Sequence, residues 1–340
     1  MKAAQFSGPK KIVLREFDTE DPGPGWVRLR ITATGICGTD LHLLGGRLAP
    51  NEGIRPGHEV AGIVETIGDG VSIEPGTSVA VEPLHACGAC SHCNSGFPNR
   101  CGNSRLFGIS APGGLAELLT VPESTLHSYP ADLDHNVVAL SEPMAVCFRG
   151  VRLGEVDSGD RVAVLGSGTI GLLSVLTAKD AGASEVFATA RYPHQAELAR
   201  ALGATEVFPN GEAMVKEIGD QLVEVVIETV GGTADTLAEA SSIARPGGRV
   251  VILGVFEGAP ALPALNITAR ELTMVGSNCY AKDGRVGDFG LATEQVVDHS
   301  ELLKELVTHR FPLDQVGAAF AAAGDKSAGT IKVQVMPAGV

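Results

Sequence analysis

Val162-Ala163-Val164-Leu165-Gly166-Ser167-Gly168-Thr169-Ile170-Gly171 is the stretch that decides the fold. An apolar run leads into G-x-G-x-x-G, and Thr169–Ala181 beyond it reads as a helix ended by Gly182. Strand, glycine loop and helix in that order make a dinucleotide cradle. Gly166 permits the tight turn, Gly168 lets a pyrophosphate approach the backbone, and Gly171 lets the helix pack on the strand. The helix N-terminus, beginning at Thr169 and Ile170, then faces the phosphates. A bare glycine pattern is often an ordinary turn, so the strand before it and the helix after it carry the inference.

Working outward, the same alternation continues. Glu185–Thr189 reads as a strand, and Pro193–Leu202 as a helix with Pro at its first position and Gly203 just past its end. Val223–Glu228 and Arg249–Leu253 are further strands. Between them Thr233–Ala244 reads as a helix stopped by Pro246-Gly247-Gly248, and residues 271–277 form the last strand. Strands alternating with helices over 144–278 predict a parallel, doubly wound sheet. An NAD site usually carries Asp or Glu at the end of the second strand, to bond the ribose 2′-hydroxyl. This strand ends Val186-Phe187-Ala188-Thr189-Ala190-Arg191-Tyr192, with no carboxylate at 189–192. Ala190 removes the repelling charge and Arg191 offers a fork to a 2′-phosphate, so NADP is favoured over NAD; the alternative is that Arg191 is a solvated surface residue. Thr229-Val230-Gly231-Gly232 and Leu253-Gly254-Val255 follow strands and should line the ribose and nicotinamide, as could Ser277 and Asn278.

The flanks have a different texture. Residues 1–143 are rich in Gly and Pro, with short apolar runs at Ile12–Leu14, Trp26–Ile31, Val60–Ile67, Ser78–Val81 and Ala116–Val121. That pattern reads as an all-β unit. The tail, 279–340, offers a helix capped by Ser300 over Glu301–Thr308, an Ala-rich helix near Leu313–Ala323 and a closing strand Thr330–Val335. It is too small to stand alone and is expected to complete the first unit.

The 340 residues suggest about two domains. With 44% hydrophobic and 19% charged residues, the composition excludes disorder as the main state. The net charge of −14 and an aromatic content of 4% argue against nucleic acid or an anionic membrane surface as partner. The longest uncharged stretch, Val162–Ala178, contains Gly-Ser-Gly-Thr and is shorter than the ~20 apolar residues of a membrane span. No secretory signal is read at the N-terminus, and a cytoplasmic location is expected.

Seven cysteines in a chain without a secretory signal argue against a disulfide framework. Cys87-x2-Cys90-x2-Cys93-x7-Cys101 instead presents four thiolates from one loop, the pattern of a closed structural zinc site, against the alternatives of a disulfide pair or four unlinked thiols. A second cluster is sparser. Cys37 and His58 are natural ligands for a catalytic zinc, and Glu59 or Glu142 could complete the set. Asp40 could orient the other ring nitrogen of His58. Each of these residues alone is more often simply packed or solvated.

These motifs together resemble the zinc-dependent medium-chain dehydrogenases, which include alcohol, sorbitol and threonine dehydrogenases. Gly57-His58-Glu59-Val60-Ala61-Gly62, followed by Gly68 and Val71, is similar to that family's zinc signature. The four-cysteine loop is similar to its structural lobe, and Ser141-Glu142-Pro143 resembles the Glu-Pro of the polyol branch. The likeness runs over the whole chain, including His309-Arg310-Phe311-Pro312-Leu313. The resemblance implies a GroES-like β-barrel catalytic domain, 1–143 completed by 279–340, with a Rossmann cofactor domain inserted at 144–278 and the active cleft between them. It implies two zinc ions per subunit. Cys37 and His58 would hold the catalytic ion with Glu59 and Glu142 both candidates for the remaining ligand; Cys87, Cys90, Cys93 and Cys101 would hold the structural one. Thr39 matches the hydroxyl that receives the substrate proton, and His42 the end of its relay to solvent. The expected reaction interconverts an alcohol, a secondary alcohol or polyol favoured, with its ketone or aldehyde by hydride transfer. Leu43, Leu106, Phe107, Cys279 and Tyr280 are placed near the substrate by analogy. Leu272-Thr273-Met274-Val275 would pair with its copy in a homodimer or homotetramer. The alternatives are a zinc-independent quinone or enone reductase of the same fold, and a non-catalytic dinucleotide-binding scaffold.

Overall fold

The computed structural model describes residues 1–19, 21–47, 52–282 and 287–337. The chain divides into two units, Met1–Glu142 with Ala281–Val340, and Pro143–Tyr280. Pro143, Cys279 and Tyr280 therefore go with the inserted unit, where the sequence reading had given them to the flanks.

The inserted unit is built on six parallel strands. Their order across the sheet is Glu206–Phe208, Glu185–Thr189, Arg161–Leu165, Val223–Glu228, Ala244–Ile252, Thr273–Gly276. In chain order this is 3-2-1-4-5-6, the doubly wound arrangement whose order reverses between the first and fourth strands. Val162, Ala163, Val164 and Leu165 are fully buried, as expected for a strand covered on both faces. Helices Thr169–Asp180, Pro193–Ala201, Gly211–Ile218 and Thr236–Ile243 link successive strands. The fifth strand begins earlier than its apolar residues suggest. Ala244 already lies opposite Val223, and a register shift takes up Pro246 and the glycines beside it. Gly247, at φ +72°, turns its N–H to the Arg270 carbonyl at 2.7 Å. Pro246-Gly247-Gly248 is thus a bend inside a strand rather than the stop of a helix.

The other unit carries a seven-stranded sheet centred on the long strand Trp26–Gly35. This strand pairs antiparallel with Glu59–Ile67 on one side and with Leu118–Pro122 and Lys332–Met336 at other points along its length. Ser78–Val81 and Leu126–Ser128 extend the sheet beyond Glu59–Ile67, and Val307–Pro312 extends it beyond Lys332–Met336. Val27, Leu29, Ile31, Val60, Val64, Val79, Val81, Leu119 and Val121 form its core.

The tail departs from expectation in two places. Residues 307 and 308, expected at the end of a helix, belong to the strand Val307–Pro312; the helix is only Ser300–Leu303, followed by a 3-10 turn. Parallel pairing with Lys332–Met336, bridged by helix Val316–Gly324, overrides the local helical signal. Helix Asp288–Asp298 was not anticipated, although buried Phe289, Ala292 and Val296 give it a helical stripe. Val316, Ala319, Phe320 and Ala323 pack against Ala4 and Phe6, which ties the tail to the strand Lys2–Phe6. Among the described residues no helix is long and apolar enough to cross a membrane.

Candidate metal centres and nucleotide loop

The strand Trp26–Gly35 ends beside a cysteine that starts a helix. Cys37, in extended conformation, is the N-cap of Gly38–Leu44, and its backbone N–H donates to Asp40 Oδ2 at 3.0 Å. One carboxylate thereby fixes the helix start close to the candidate ligand. Just before the neighbouring strand Gly57 takes φ +102°, and a Cβ there would come within 2.6 Å of the Leu115 nitrogen, so the approach to His58 needs glycine. Ligand atoms of Cys37, His58 and Glu59 all lie within 4.8 Å of one another. His58 and Glu59 are buried and Cys37 is half-buried. A half-buried thiol converging with a buried imidazole and a buried carboxylate in this way fits a zinc ion with a position left open.

Asp40, fully buried, turns Oδ1 toward His58 Nδ1 at 3.6 Å, and neither atom has another partner among the described residues. Burial disfavours the charged imidazole, but Asp40 and Cys37 beside it outweigh that penalty and hold the His58 pKa well above its usual value. Glu142, second residue of helix Ser141–Leu153, is buried nearby but outside the 4.8 Å group. Burial pushes its carboxyl up to about 7, with Glu59 and Asp40 adding to the rise and His58 and Lys332 opposing it. Thr39 and His42 stand three residues apart on Gly38–Leu44, hence on neighbouring positions of one helix face, and both are half-buried.

One residue of this centre went unseen in the sequence. Lys332, on the last strand, donates from Nζ to both oxygens of Glu59, at 2.6 and 2.7 Å. Strand alternation in Ile331-Lys332-Val333-Gln334-Val335 marks its polar face, but that face reads as solvent-exposed; here it is buried.

The second cluster is local. Cys87, Cys90, Cys93 and Cys101 bring their sulfurs within 4.8 Å of one another, and the closer pairs measure 3.5, 3.5 and 3.9 Å. Tetrahedral zinc with bonds of about 2.3 Å needs sulfurs about 3.8 Å apart. All four cysteines are free in the structure. Cys90 caps the short helix Ser91–Asn94. Backbone N–H groups of Ala89 and Cys90 aimed at Cys87 draw its thiol down to about 6.

In the inserted unit the three glycines of the loop do different things. Gly166 has φ +98°, and a Cβ would strike Val230 and Thr229 at 2.7 and 2.9 Å. At Gly171 a Cβ would sit 1.9 Å from the Gly166 carbonyl oxygen. At Gly168 it would meet nothing within 4 Å, which leaves an open approach to the backbone in front of helix Thr169–Asp180, where Thr169 and Ile170 begin the first turn. This is a cradle that fits a pyrophosphate. Thr189 and Thr229 hold it from either side: the Gly166 N–H donates to Thr189 Oγ1, Ser167 Oγ to the Thr189 carbonyl, and Thr229 Oγ1 to the Leu165 carbonyl. Ala190 is buried and Arg191 exposed beyond the second strand, followed by the stacked rings of Tyr192 and His194.

Val230, Leu253, Gly254, Val255, Ser277 and Asn278 all follow the C-terminal ends of strands in this sheet. Glu228, which the sequence reading passed over, shapes their loops. Its Oε1 accepts from the N–H of Val230 and Gly231 and from Thr236 Oγ1. A Cβ at Gly254 would fall 2.3 Å from Glu228 Oε2. Val230 and Val255 are left 45% exposed as an apolar shelf, and Ser277 Oγ is buried without a hydrogen-bond partner among the described residues.

Both units resemble known proteins. The alcohol dehydrogenase GroES-like domain matches residues 23–131, and the zinc-binding dehydrogenase domain matches residues 169–296. A 2-dehydro-3-deoxy-L-galactonate 5-dehydrogenase of Pseudoalteromonas atlantica is 33% identical over 328 residues, 94% of each chain. An L-threonine 3-dehydrogenase of Pyrococcus horikoshii is 36% identical over 274 residues, covering 77% of this chain and 78% of its own. A Sinorhizobium meliloti structure, described as a zinc-binding dehydrogenase bound to NADP, superposes with TM-score 0.89 at 34% identity and covers 99% of both chains. The chain belongs to the zinc-dependent medium-chain alcohol dehydrogenase family, with a GroES-like domain and a Rossmann domain, and is an oxidoreductase.

Proposed function

We propose that this enzyme interconverts a secondary alcohol, within a polyol, sugar acid or amino alcohol, and its ketone, with NADP preferred as hydride acceptor. The observation that carries this reading is the convergence of Cys37, His58 and Glu59 within 4.8 Å, with Thr39 two residues from one of them. Both named relatives above act, by their printed positions, on an inner carbon, C5 or C3. Unit Met1–Glu142 with Ala281–Val340 is then the catalytic part and Pro143–Tyr280 the cofactor part.

Cys37, His58 and Glu59 would hold the catalytic zinc, with Glu142 as a second carboxyl beside them; Cys87, Cys90, Cys93 and Cys101 would hold a structural zinc. A zinc ion supplies Lewis acidity, which makes a hydroxyl proton easier to lose, and the nicotinamide supplies the hydride acceptor. The protein's own work is placement and proton handling. Thr39 Oγ1 accepts the substrate's hydroxyl proton and gives up its own along the helix face toward His42, whose ring exchanges protons with water. Asp40 keeps His58 turned so that its other nitrogen faces Cys37. Gly166, Gly168, Thr169, Ile170 and Gly171 receive the pyrophosphate, and Thr229, Val230, Leu253, Gly254, Val255, Ser277 and Asn278 line the ribose and nicotinamide. Ala190 and Arg191 select the 2′-phosphate. The edge strand Thr273–Gly276, with Leu262 and Leu265 exposed nearby, supports a homodimer or homotetramer.

Nicotinamide absorbance on zinc-replete protein tests this reading, with NADP and NAD run side by side over secondary alcohols, polyols, sugar acids and threonine. Turnover with NADP preferred, moved toward NAD by Ala190→Asp, is expected. Turnover with NAD preferred would make Arg191 a surface residue. Binding of cofactor without turnover on any of the panel would refute the substrate class.

A further inference from the structure

The pair Lys332–Glu59 has no counterpart in the chemistry assigned so far. Both groups are buried, 3% and 0% exposed, and the same ammonium also donates to the Ile36 carbonyl at 3.3 Å. They come from strands that are not neighbours. Gln334 lies opposite Gly35 on one side, and Glu59 lies opposite Gly35 on the other. Two strand spacings, roughly 9.5 Å, separate the outer backbones. The side chains can meet only if the residue between them is small. A Cβ at Gly35 would stand 1.8 Å from Glu59 Oε2. The Glu59 carboxylate thus lies over Gly35, in space that any other residue's Cβ would take.

Stability does not explain the pair. A buried ion pair gains little over apolar side chains of the same volume, because desolvating both charges offsets their attraction. What singles it out is that the carboxylate it holds is also the one grouped with Cys37 and His58.

We propose that Lys332 is the positioning residue of the metal centre: with its ammonium on both Glu59 oxygens it keeps that carboxylate from chelating the metal. A carboxylate free to turn can take a metal ion through both oxygens and so fill the position a substrate needs; one whose two oxygens already accept from a buried ammonium cannot. The lysine also balances one of the negative charges gathered here by Cys37, Glu59, Glu142 and Asp40. This proposal rests on the reading of Cys37, His58 and Glu59 as metal ligands.

Cobalt(II) exchanged into the full-length protein tests it, because its visible bands weaken as coordination number rises. Lys332→Met is expected to weaken and shift the bands and to lower kcat/KM by about 10- to 100-fold, the usual cost of losing a partner that orients a metal ligand. Lys332→Arg, which keeps a charged donor, is expected to retain the wild-type bands. In a Glu59→Gln background the same lysine change is expected to leave the spectrum unmoved, since Lys332 acts through Glu59. A folded Lys332→Met protein with wild-type bands overturns the proposal, as does an undiminished effect in the Glu59→Gln background. If Lys332→Met does not fold, Lys332→Gln takes its place under the same criteria. Wild-type protein that takes up cobalt only on the four-cysteine lobe would remove the metal reading itself, a separate result visible before any variant is made.

Discussion

The two candidate metal centres of this chain are built in opposite ways. The lobe draws its four sulfurs from one segment, Cys87 to Cys101, partly exposed and with backbone N–H groups serving its thiolate. The other centre draws on Cys37, His58, Glu59, Glu142 and Lys332, is largely buried, and spans 273 residues between Glu59 and Lys332. Four thiolates close a coordination sphere; one thiol, one imidazole and a tethered carboxylate leave it open. A local, closed site holds a loop in place. A distributed, open one can do chemistry, and it depends on the whole fold for its geometry.

The sharpest way to break this contrast is to remove one ligand from each. Cys37→Ser or His58→Ala is expected to lower turnover about a thousandfold or more, the several kcal/mol a Lewis acid supplies, while cofactor binding, read by fluorescence titration, stays intact. Cys90→Ser should instead lower the Tm and leave the turnover of the remaining folded molecules. Equal loss of turnover from both, in folded protein, would dissolve the distinction. Next in size, Gly35→Ala should cost about 10- to 100-fold in kcat/KM by displacing the Glu59 carboxylate, with metal content measured alongside. A chelator should take the metal of the open centre, and the activity, before that of the lobe. Release in the reverse order, followed by elemental analysis, would contradict the open and closed assignments. The smallest effect expected lies outside both centres. The Glu123 carboxylate accepts from Ser72 N, Ser72 Oγ and Ile73 N at 2.6–2.8 Å, which holds its pKa below the usual carboxylate value. A depressed pKa stabilises the fold above the unfolded value, and the gain is lost as pH falls through the folded one. Glu123→Gln should therefore lower the Tm slightly at neutral pH and not at all in acid, with activity unchanged.

The same contrast explains what could be read in advance. The cysteine lobe and the glycine loop are contiguous, so their spacing alone carries their chemistry, and the parallel sheet around Gly166 announces itself by alternation. The open centre was half legible: Cys37, His58 and Glu59 could be named by resemblance to a family, yet nothing in their spacing brings them together. Lys332 could not be found, because its pattern reads as an exposed polar face and its meaning comes from a strand pairing hundreds of residues away. Glu228 was hidden for a related reason. A carboxylate at a strand end looks solvated until two backbone N–H groups and the Thr236 hydroxyl turn to meet it. The strand at Val307 was misread because pairing with Lys332 outweighs the local helical signal.

The strand Lys332–Met336 lies within the final ten residues of a 340-residue chain and pairs with Trp26–Gly35 near its beginning. During synthesis, then, all four sulfurs of the lobe are present as soon as Cys101 has emerged. The Glu59 carboxylate must wait for its lysine until 273 further residues have been made. A product terminated before Lys332 would carry the whole four-cysteine loop and a Glu59 without its ion-pair partner, so the two centres differ in how much of the chain each one needs.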